Sequence, residues 1–275
     1  MSITPPQPAN GHEQERIIVF DDVAIAFDEN VVLDGISFIL HKGENKMLLG
    51  VAGSGKSTIL KLALGLIKPD RGRIWVLGQE VTAMREEELF DLRRRIGMVF
   101  QESALFDSLT VRENVAYRLL EEHVTPEETE RRVREALRFV ELEHTLDLLP
   151  SELSGGMRRR VAIARAIVTQ PEVLLYDSPT GGLDPVTSTT IIELVVKQRD
   201  VYHTSALLVT HRLQDAFTMA THYFDTNANE MRPLGNNKVN LDTTFVILRD
   251  GKVIFDGTTL ELARSRDEYI REYIS

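Results

Sequence analysis

The sequence predicts an α/β fold, in which a mostly parallel sheet is combined with an N-terminal antiparallel β subdomain and an inserted α-helical lobe. Three observations lead to this prediction. Short β-forming runs in the region 17–40 are separated by Asp, Asn and Gly, as in antiparallel sheets. Continuous apolar strands at 47–50, 173–176 and 205–210 alternate with helical patterns, as in parallel sheets. The stretch 101–169 is helical almost throughout.

A glycine-rich turn follows the first of these buried strands and leads into a helix. Its letters match the full pattern G-x-x-x-x-G-K-[ST] of a phosphate-binding P-loop. Glycines allow successive amide groups to turn toward a polyphosphate, and the helix start adds unpaired N–H groups. Lys56 would reach the β- and γ-phosphates, and the Ser57 hydroxyl would bind Mg²⁺. The alternative, a turn with a surface lysine, leaves the strand-to-helix context unexplained. The predicted nucleotide-binding residues are Gly50, Gly53, Ser54, Gly55, Lys56, Ser57 and Thr58.

Composition describes an ordinary globular protein and limits its partners. The chain has 275 residues, 43% of them hydrophobic, and a formal net charge of −10. Binding to nucleic acid depends on neutralising phosphates, so we expect no nucleic-acid partner. The arginine runs 93–95 and 158–160 are interpreted as solvated helix faces. Scattered histidines and the absence of cysteine provide no tight metal-ligand spacing.

The first 15 residues are predicted to be a disordered tail, and 16–275 a single domain. The tail contains three prolines and has no apolar periodicity. It also lacks the basic and apolar regions of a signal peptide. Because no apolar run approaches the roughly 20 residues of a membrane span, we expect the protein to remain in the cytosol.

Local signals place further elements in the first half of the chain. The helix after the P-loop is predicted at 56–66 and ends at a turn-forming Pro-Asp-Arg-Gly. Strands at 73–77 and 96–100 bracket a polar segment. Residues 125–128, Thr-Pro-Glu-Glu, match a capping box with proline at the first helical position, which predicts a helix start inside the helical lobe.

The α/β pattern resumes after the lobe. A helix should follow each of the strands at 173–176 and 205–210, and a hairpin with an Asp250-Gly251 turn of type I′ should come after the second helix. The polar stretch 225–242, between the second helix and the hairpin, is predicted to be an exposed loop. The predicted helices are 185–199 and 213–220, and the hairpin strands are 243–248 and 252–256.

Two further motifs belong to a nucleotide site. Asp177 directly follows a buried strand, where a carboxylate can orient the magnesium ion of a nucleotide. The string 153–157, Leu-Ser-Gly-Gly-Met, opens a helix and provides a second set of exposed backbone donors, hence a second anion site. One chain with two such helix starts suggests that ATP is held between two copies of the chain. With these motifs the sequence resembles the ATP-binding cassette (ABC) family over 17–224 and 243–274.

The resemblance implies roles for several residues. Phe27 is similar to the aromatic residue that stacks on adenine, although it could be an ordinary core residue. Gln101 resembles the glutamine that senses Mg²⁺ and the γ-phosphate, and His211 resembles the switch histidine, although a lone histidine after a strand could be structural. The metal ligands would then be Ser57, Gln101 and Asp177. The implied signature is Leu153, Ser154, Gly155 and Gly156, and the loop across the dimer is Gly182, Leu183 and Asp184.

Finer details resemble one subfamily. The strings 101–111 and 149–157 are similar to the cassettes of Mla-type lipid-transport systems, including the Mkl-like relatives. That resemblance implies an ATPase of a lipid transporter that uses Mg-ATP. It also implies a second copy, an integral membrane permease and an MCE-type lipid-binding protein as partners, with the cassette on the inner face of the cell membrane.

One position departs from the family pattern. After Asp177 the family usually has the glutamate that polarises the attacking water, and here the residue is Ser178. Serine cannot take a proton at neutral pH, and a general base typically contributes ~10²–10⁴-fold. An alternative hypothesis is therefore an ATP-gated clamp or regulatory subunit that hydrolyses little. A third hypothesis is a DNA-linked cassette. The net negative charge of the chain and the lack of a coiled-coil insertion oppose it.

Overall fold

The fold is an α/β domain of three sheets, described here from a computed structural model over residues 14–235 and 238–274. The strands are β1 (Arg16–Phe27), β2 (Asn30–His41), β3 (Asn45–Gly50), β4 (Arg71–Val76), β5 (Gln79–Glu80), β6 (Ile96–Val99), β7 (Val173–Asp177), β8 (Ser205–Val209), β9 (His222–Asp225), β10 (Glu230–Pro233), β11 (Thr243–Arg249) and β12 (Lys252–Thr258). The α-helices are α1 (Lys56–Ala63), α2 (Glu86–Arg94), α3 (Val111–Glu121), α4 (Pro126–Phe139), α5 (Gly155–Ile167), α6 (Pro185–Tyr202), α7 (Leu213–Thr221), α8 (Thr259–Ala263) and α9 (Glu268–Ile274).

The two larger sheets confirm the predicted combination of parallel and antiparallel structure. The main sheet has the order β12-β11-β3-β8-β7-β6, in which β11, β3, β8, β7 and β6 are parallel and β12 is antiparallel to its neighbour. The sheet β2-β1-β4-β5 is antiparallel throughout. Helices α3, α4 and α5 pack on one another and form the predicted helical lobe between β6 and β7.

The central strand β3 separates two hydrophobic cores. Leu48 packs in the core beneath the antiparallel sheet and α1, whereas Met47 and Leu49 face the core that includes the helical lobe. All three side chains are buried, because both faces of a parallel sheet are covered by other elements. The whole strand is buried, and the glycine-rich turn follows its end between the two cores.

Most predicted elements are present, with shifted ends. The separate β-forming runs in 17–40 merge into two long strands, β1 and β2. The type I′ turn is confirmed, since Asp250 and Gly251 have φ of 48° and 73°. The polar segment between the strands predicted at 73–77 and 96–100 contains α2, which the sequence interpretation missed.

Two local predictions need correction. The stretch 225–242 is not a loop throughout, because β10 lies within it and forms a hairpin with β9. The capping box at 125–128 is only half formed: Thr125 accepts from the Glu128 amide, but the Glu128 carboxylate pairs with Arg131 and Arg132. Charge-assisted bonds to two guanidinium groups outcompete one neutral amide. The predicted tail lies, up to residue 13, outside the described residues.

Candidate functional site

The sheet brings four of the predicted site residues to one edge. Strands β3, β8, β7 and β6 are neighbours and parallel, so their carboxyl ends lie together. Asp177 is the last residue of β7, and the segments that follow β3, β8 and β6 carry Lys56, His211 and Gln101. Ligands of open parallel sheets bind at this edge, which makes it the candidate nucleotide site.

The glycine-rich turn has a shape that other residues would disrupt. Gly50 has a φ of 150°, and a Cβ added there would lie 2.6 Å from the Leu248 carbonyl oxygen. Gly55, the N-cap of α1, has a φ of 92°, and its Cβ would lie 2.6 Å from a methyl group of Leu33. These positions require glycine, because side chains rarely adopt such φ values. The turn is thus a cradle of backbone atoms, as a phosphate-binding loop requires.

Lys56 is buried inside this cradle. Its Nζ donates to the carbonyl oxygens of Gly50 and Val51, both at 2.8 Å, and to the Ser54 hydroxyl at 3.1 Å. Burial lowers the pKa of Lys56 to about 8, although the nearby Asp177 carboxylate raises it. Because the groups that accept from Nζ are neutral oxygens, the positive charge of Lys56 favours an anion in the cradle.

Ser57 and Asp177 meet across the fold. The Ser57 hydroxyl donates to Asp177 Oδ1 at 3.0 Å, although the two residues are 120 positions apart. Within the described residues no cluster of three or more His, Cys, Asp or Glu could hold a metal ion. One hydroxyl and one carboxylate suit Mg²⁺, which binds through few protein ligands together with substrate phosphates. The residues therefore fit magnesium-nucleotide.

His211 lies near this pair, close enough for the charges of Lys56 and Asp177 to act on its imidazole, whereas the Gln101 side chain lies beside Gly181. Partial burial and the positive charge of Lys56 lower the pKa of His211, against a smaller opposing effect of Asp177. The imidazole is therefore mainly neutral at pH 7 and can accept a hydrogen bond. Gln101 is exposed, and its side chain borders Gly181, where an added Cβ would lie 3.5 Å from it.

Ser178 has an unusual environment. Its φ is 46°, its exposed fraction is 2%, and its hydroxyl has no hydrogen-bond partner within the part of the chain that the structure describes. Its backbone is well held: the amide donates to the Val209 carbonyl at 2.9 Å, and the carbonyl accepts from the Gly181 amide at 2.9 Å. The position usually taken by glutamate thus holds a buried, unpaired hydroxyl in a rigid loop.

Arg159 connects the signature helix to this loop. Its guanidinium donates to the carbonyl oxygens of Ser178 at 3.2 Å and of Gly181 at 3.3 Å. The interpretation of 158–160 as a solvated helix face is therefore wrong for Arg159, which is 5% exposed. An arginine run gives no local sign that one member turns inward to carbonyl groups 19 and 22 residues away.

A second buried polar group was missed. Asp215 accepts hydrogen bonds from the hydroxyls of Thr180 and Thr210. Burial raises the pKa of its carboxyl group, against the effect of these hydrogen bonds and of Arg212. The contacts tie the loop after β7 to the residue before His211. The only signal in the sequence was one acidic residue in an amphipathic helix, which is ordinarily exposed.

The signature residues 153–156 lie at the start of α5, beside the start of α6. Ser154 is the N-cap of α5 and accepts from the Met157 amide at 3.2 Å, whereas Leu153 is buried. Asp184 is the N-cap of α6 and accepts from the Val186 and Thr187 amides, both at 3.0 Å. A Cβ on Gly156 would lie 2.4 Å from Thr187, so the two helix starts are in contact.

Phe27 lies at the end of β1, where it pairs with Asn30 across the turn to β2. Its side chain is 48% exposed. An ordinary core residue would be covered, so the exposed ring argues against that alternative, while a single exposed ring does not by itself mark a ligand surface. The same hairpin approaches the phosphate loop, since Leu33 lies against Gly55.

Two known relatives match almost the whole chain, and a third matches a shorter part of it. A chloroplast protein of Arabidopsis thaliana, TRIGALACTOSYLDIACYLGLYCEROL 3, is 37% identical over 95% of this chain and 74% of its own length. The intermembrane phospholipid transport system ATP-binding protein MlaF of Haemophilus influenzae is 30% identical over 94% and 90%. The methionine import ATP-binding protein MetN of Bifidobacterium longum is 38% identical over 72% of this chain, which spans 51% of that protein.

The fold also matches a solved structure of an ATP-binding cassette. The dimeric post-hydrolysis structure of the ATP-binding cassette MJ0796, bound to ADP and Pi, superimposes with a TM-score of 0.73 at 29% identity. The match covers 88% of this chain and 98% of that one. The family described as ABC transporter matches residues 33–181, which include the P-loop, the signature and Asp177. The chain therefore belongs to the ABC transporter family, as the ATP-binding subunit and an ATPase of that type.

Proposed function

We propose that the chain powers a membrane transporter for lipid by binding two Mg-ATP between two copies of itself. The single observation that carries the ATP site is Lys56, a buried cation enclosed by the backbone of a glycine cradle. Ser57 and Asp177 would hold Mg²⁺, which would neutralise phosphate charge when bound. Gln101 and His211 flank the terminal phosphate in this proposal, and Phe27 supports the adenine ring.

The second copy explains the place of the signature. Ser154, Gly155 and Gly156 start α5 next to the start of α6 and offer backbone donors that do not belong to the phosphate loop 50–58. In the proposed dimer they meet the nucleotide held by the partner copy. Among the helices at 14–235 and 238–274, none combines the length and apolarity that crossing a bilayer requires. In this proposal the cargo crosses the membrane through an integral permease. The cassette binds that permease from the cytoplasmic side.

Lipid as cargo rests on two relatives that cover most of both chains, one of them named for intermembrane phospholipid transport. The methionine import relative matches about half of its own length. The strings at 101–111 and 149–157 favour the lipid group, with an MCE-type protein as a further partner. Reconstitution with a permease that co-purifies with the chain would decide. Phospholipid, and not methionine, should stimulate ATP hydrolysis, and the reverse result would reject lipid as cargo.

A titration tests the nucleotide site itself. Lys56→Ala should abolish binding of a fluorescent ATP analogue, because it removes the cation from the cradle. Lys61→Ala is the matched control, since Lys61 is an exposed lysine on the same helix. Unchanged affinity in Lys56→Ala would contradict the P-loop assignment.

The second candidate function is an ATP-gated clamp that dimerises on ATP and hydrolyses it slowly. The observation that favours it is Ser178, whose buried hydroxyl takes the place of the usual general base. The two candidates differ in turnover and not in ATP binding. Steady-state phosphate release by the purified protein, measured with and without its permease, separates them.

A further inference from the structure

Both backbone polar groups of Gly50 are held by side chains. Its amide donates to the Tyr273 hydroxyl at 3.0 Å, although the two residues are 223 positions apart. Its carbonyl oxygen accepts from Lys56 Nζ at 2.8 Å. The first glycine of the phosphate loop therefore stands between the phosphate-binding cation and the last helix, α9.

Gly50 has an unusual backbone conformation that these two bonds help to maintain. Its φ is 150°, and an added Cβ would lie 2.6 Å from the Leu248 carbonyl oxygen, so the position suits glycine. A glycine without such partners samples more backbone conformations than any other residue. The two hydrogen bonds, from opposite sides of the residue, therefore determine the direction in which the loop leaves β3.

Tyr273 is fixed well enough to act as a partner. Helix α9 buries Ile270 to 2% exposure in the core, and Tyr273 packs against the same core. The Tyr273 ring stacks on Tyr269 at 6.0 Å, and the Arg249 guanidinium lies 4.1 Å above Tyr269. Burial raises the pKa of Tyr273, so its hydroxyl remains neutral. The hydroxyl is thus held in place by packing from β11 and α9.

We infer that Tyr273 is a positioning residue of the nucleotide site, which sets ATP affinity by holding Gly50 and, through it, Lys56. The inference rests on the proposed nucleotide function of the loop. When a nucleotide binds, Lys56 exchanges its bond to the Gly50 carbonyl for a phosphate oxygen. The Tyr273 bond then remains to keep the backbone of Gly50 in its binding conformation. The C-terminal helix is, on this basis, part of the ATP site although it contributes no phosphate ligand.

The test removes one hydroxyl group. Tyr273→Phe keeps the ring and its packing but leaves the Gly50 amide without its acceptor. The dissociation constant for ATP should rise about three- to tenfold, in line with the loss of one hydrogen bond, and kcat should change less than about twofold. Tyr269→Phe is the matched control, because it removes a hydroxyl from the same helix and preserves the stack.

A second measurement does not depend on activity. Hydrogen exchange of the Gly50 amide, followed by NMR in the protein without nucleotide, should accelerate in Tyr273→Phe and not in Tyr269→Phe. Unchanged exchange together with unchanged ATP affinity would overturn the inference. If Lys56→Ala also leaves affinity unchanged, the proposed nucleotide function fails as well. If Lys56→Ala alone abolishes binding, the function holds and only the role of Tyr273 is lost.

Discussion

A single buried ammonium group makes ATP binding sensitive to pH. The pKa of Lys56 is lowered to about 8 by burial, so the side chain is charged at pH 7 and largely neutral at pH 9. Phosphate binds the charged form, so affinity should fall as the pH rises through 8. The expected loss between pH 7 and pH 9 is about tenfold, since one pH unit above a pKa leaves roughly a tenth of the group protonated.

Isothermal titration with a non-hydrolysable ATP analogue at several pH values measures this loss. Lys56→Arg is the control, because arginine keeps its charge over the whole range. A wild-type affinity that is constant from pH 7 to pH 9 would show that Lys56 stays protonated without its ligand.

At Ser178 the missing carboxylate should limit the rate of hydrolysis. Ser178→Glu would place a carboxylate directly after Asp177 and should raise the ATPase rate about tenfold or more, which corresponds to at least ~1.4 kcal/mol of transition-state stabilisation. Arg159 lies against the backbone of this residue, and its Nε is buried without a partner among the described residues. A bond between that group and the new carboxylate would lower the pKa of the carboxylate and weaken it as a base, so the expected gain requires a glutamate that faces the nucleotide and not Arg159.

Phosphate release by purified variants checks this prediction. Ser178→Gln has the same size as the glutamate variant but no basic oxygen, so it separates charge from volume. If glutamine accelerates the reaction as much as glutamate, the general-base explanation is wrong. If wild type already turns over at ~1 s⁻¹ or faster and glutamate adds nothing, another group activates the water.

At the scale of elements, the β9–β10 hairpin should contribute to stability. The Met231 amide donates to the Glu193 carboxylate of α6 at 2.9 Å, and the Met231 side chain packs on the main core. Met231→Ala should cost on the order of 1 kcal/mol, because the side chain is only partly buried, and should lower Tm by about 2–4 °C. Asn227→Ala, in the exposed turn of the hairpin, is the control for a thermal melt. Equal melting temperatures would mean that the Met231 side chain does not contribute to stability.

At the scale of the whole molecule, the signature should be needed for dimerisation and not for nucleotide binding. Ser154→Arg places a bulky cation at the exposed start of α5, so ATP should still bind one chain but the ATP-dependent dimer should not form. Light scattering with and without Mg-ATP measures the mass. Asn227→Arg adds the same charge on the hairpin turn and should still dimerise. A Ser154→Arg dimer of normal stability would argue against a shared site.

The sequence alone determined the fold class and most of the candidate site, because these depend on local patterns. The glycine spacing at 50–57 defines the phosphate loop wherever the strand lies, and an acidic residue after a buried strand defines Asp177. The periodicity of apolar residues separated the parallel sheet from the helical lobe. It did not separate loop from hairpin at 225–242, where few residues are apolar and the strands are held by packing on α6.

Only the tertiary structure decided which distant groups meet. The Ser57–Asp177 bond, the turn of Arg159 toward Ser178 and the contact of Tyr273 with Gly50 all join residues at least 19 positions apart. Local propensity contains no information about such pairs, since they form where separate elements happen to pack. Burial then changes the chemistry, as at Lys56, whose pKa is shifted by the desolvation that the assembled cradle imposes.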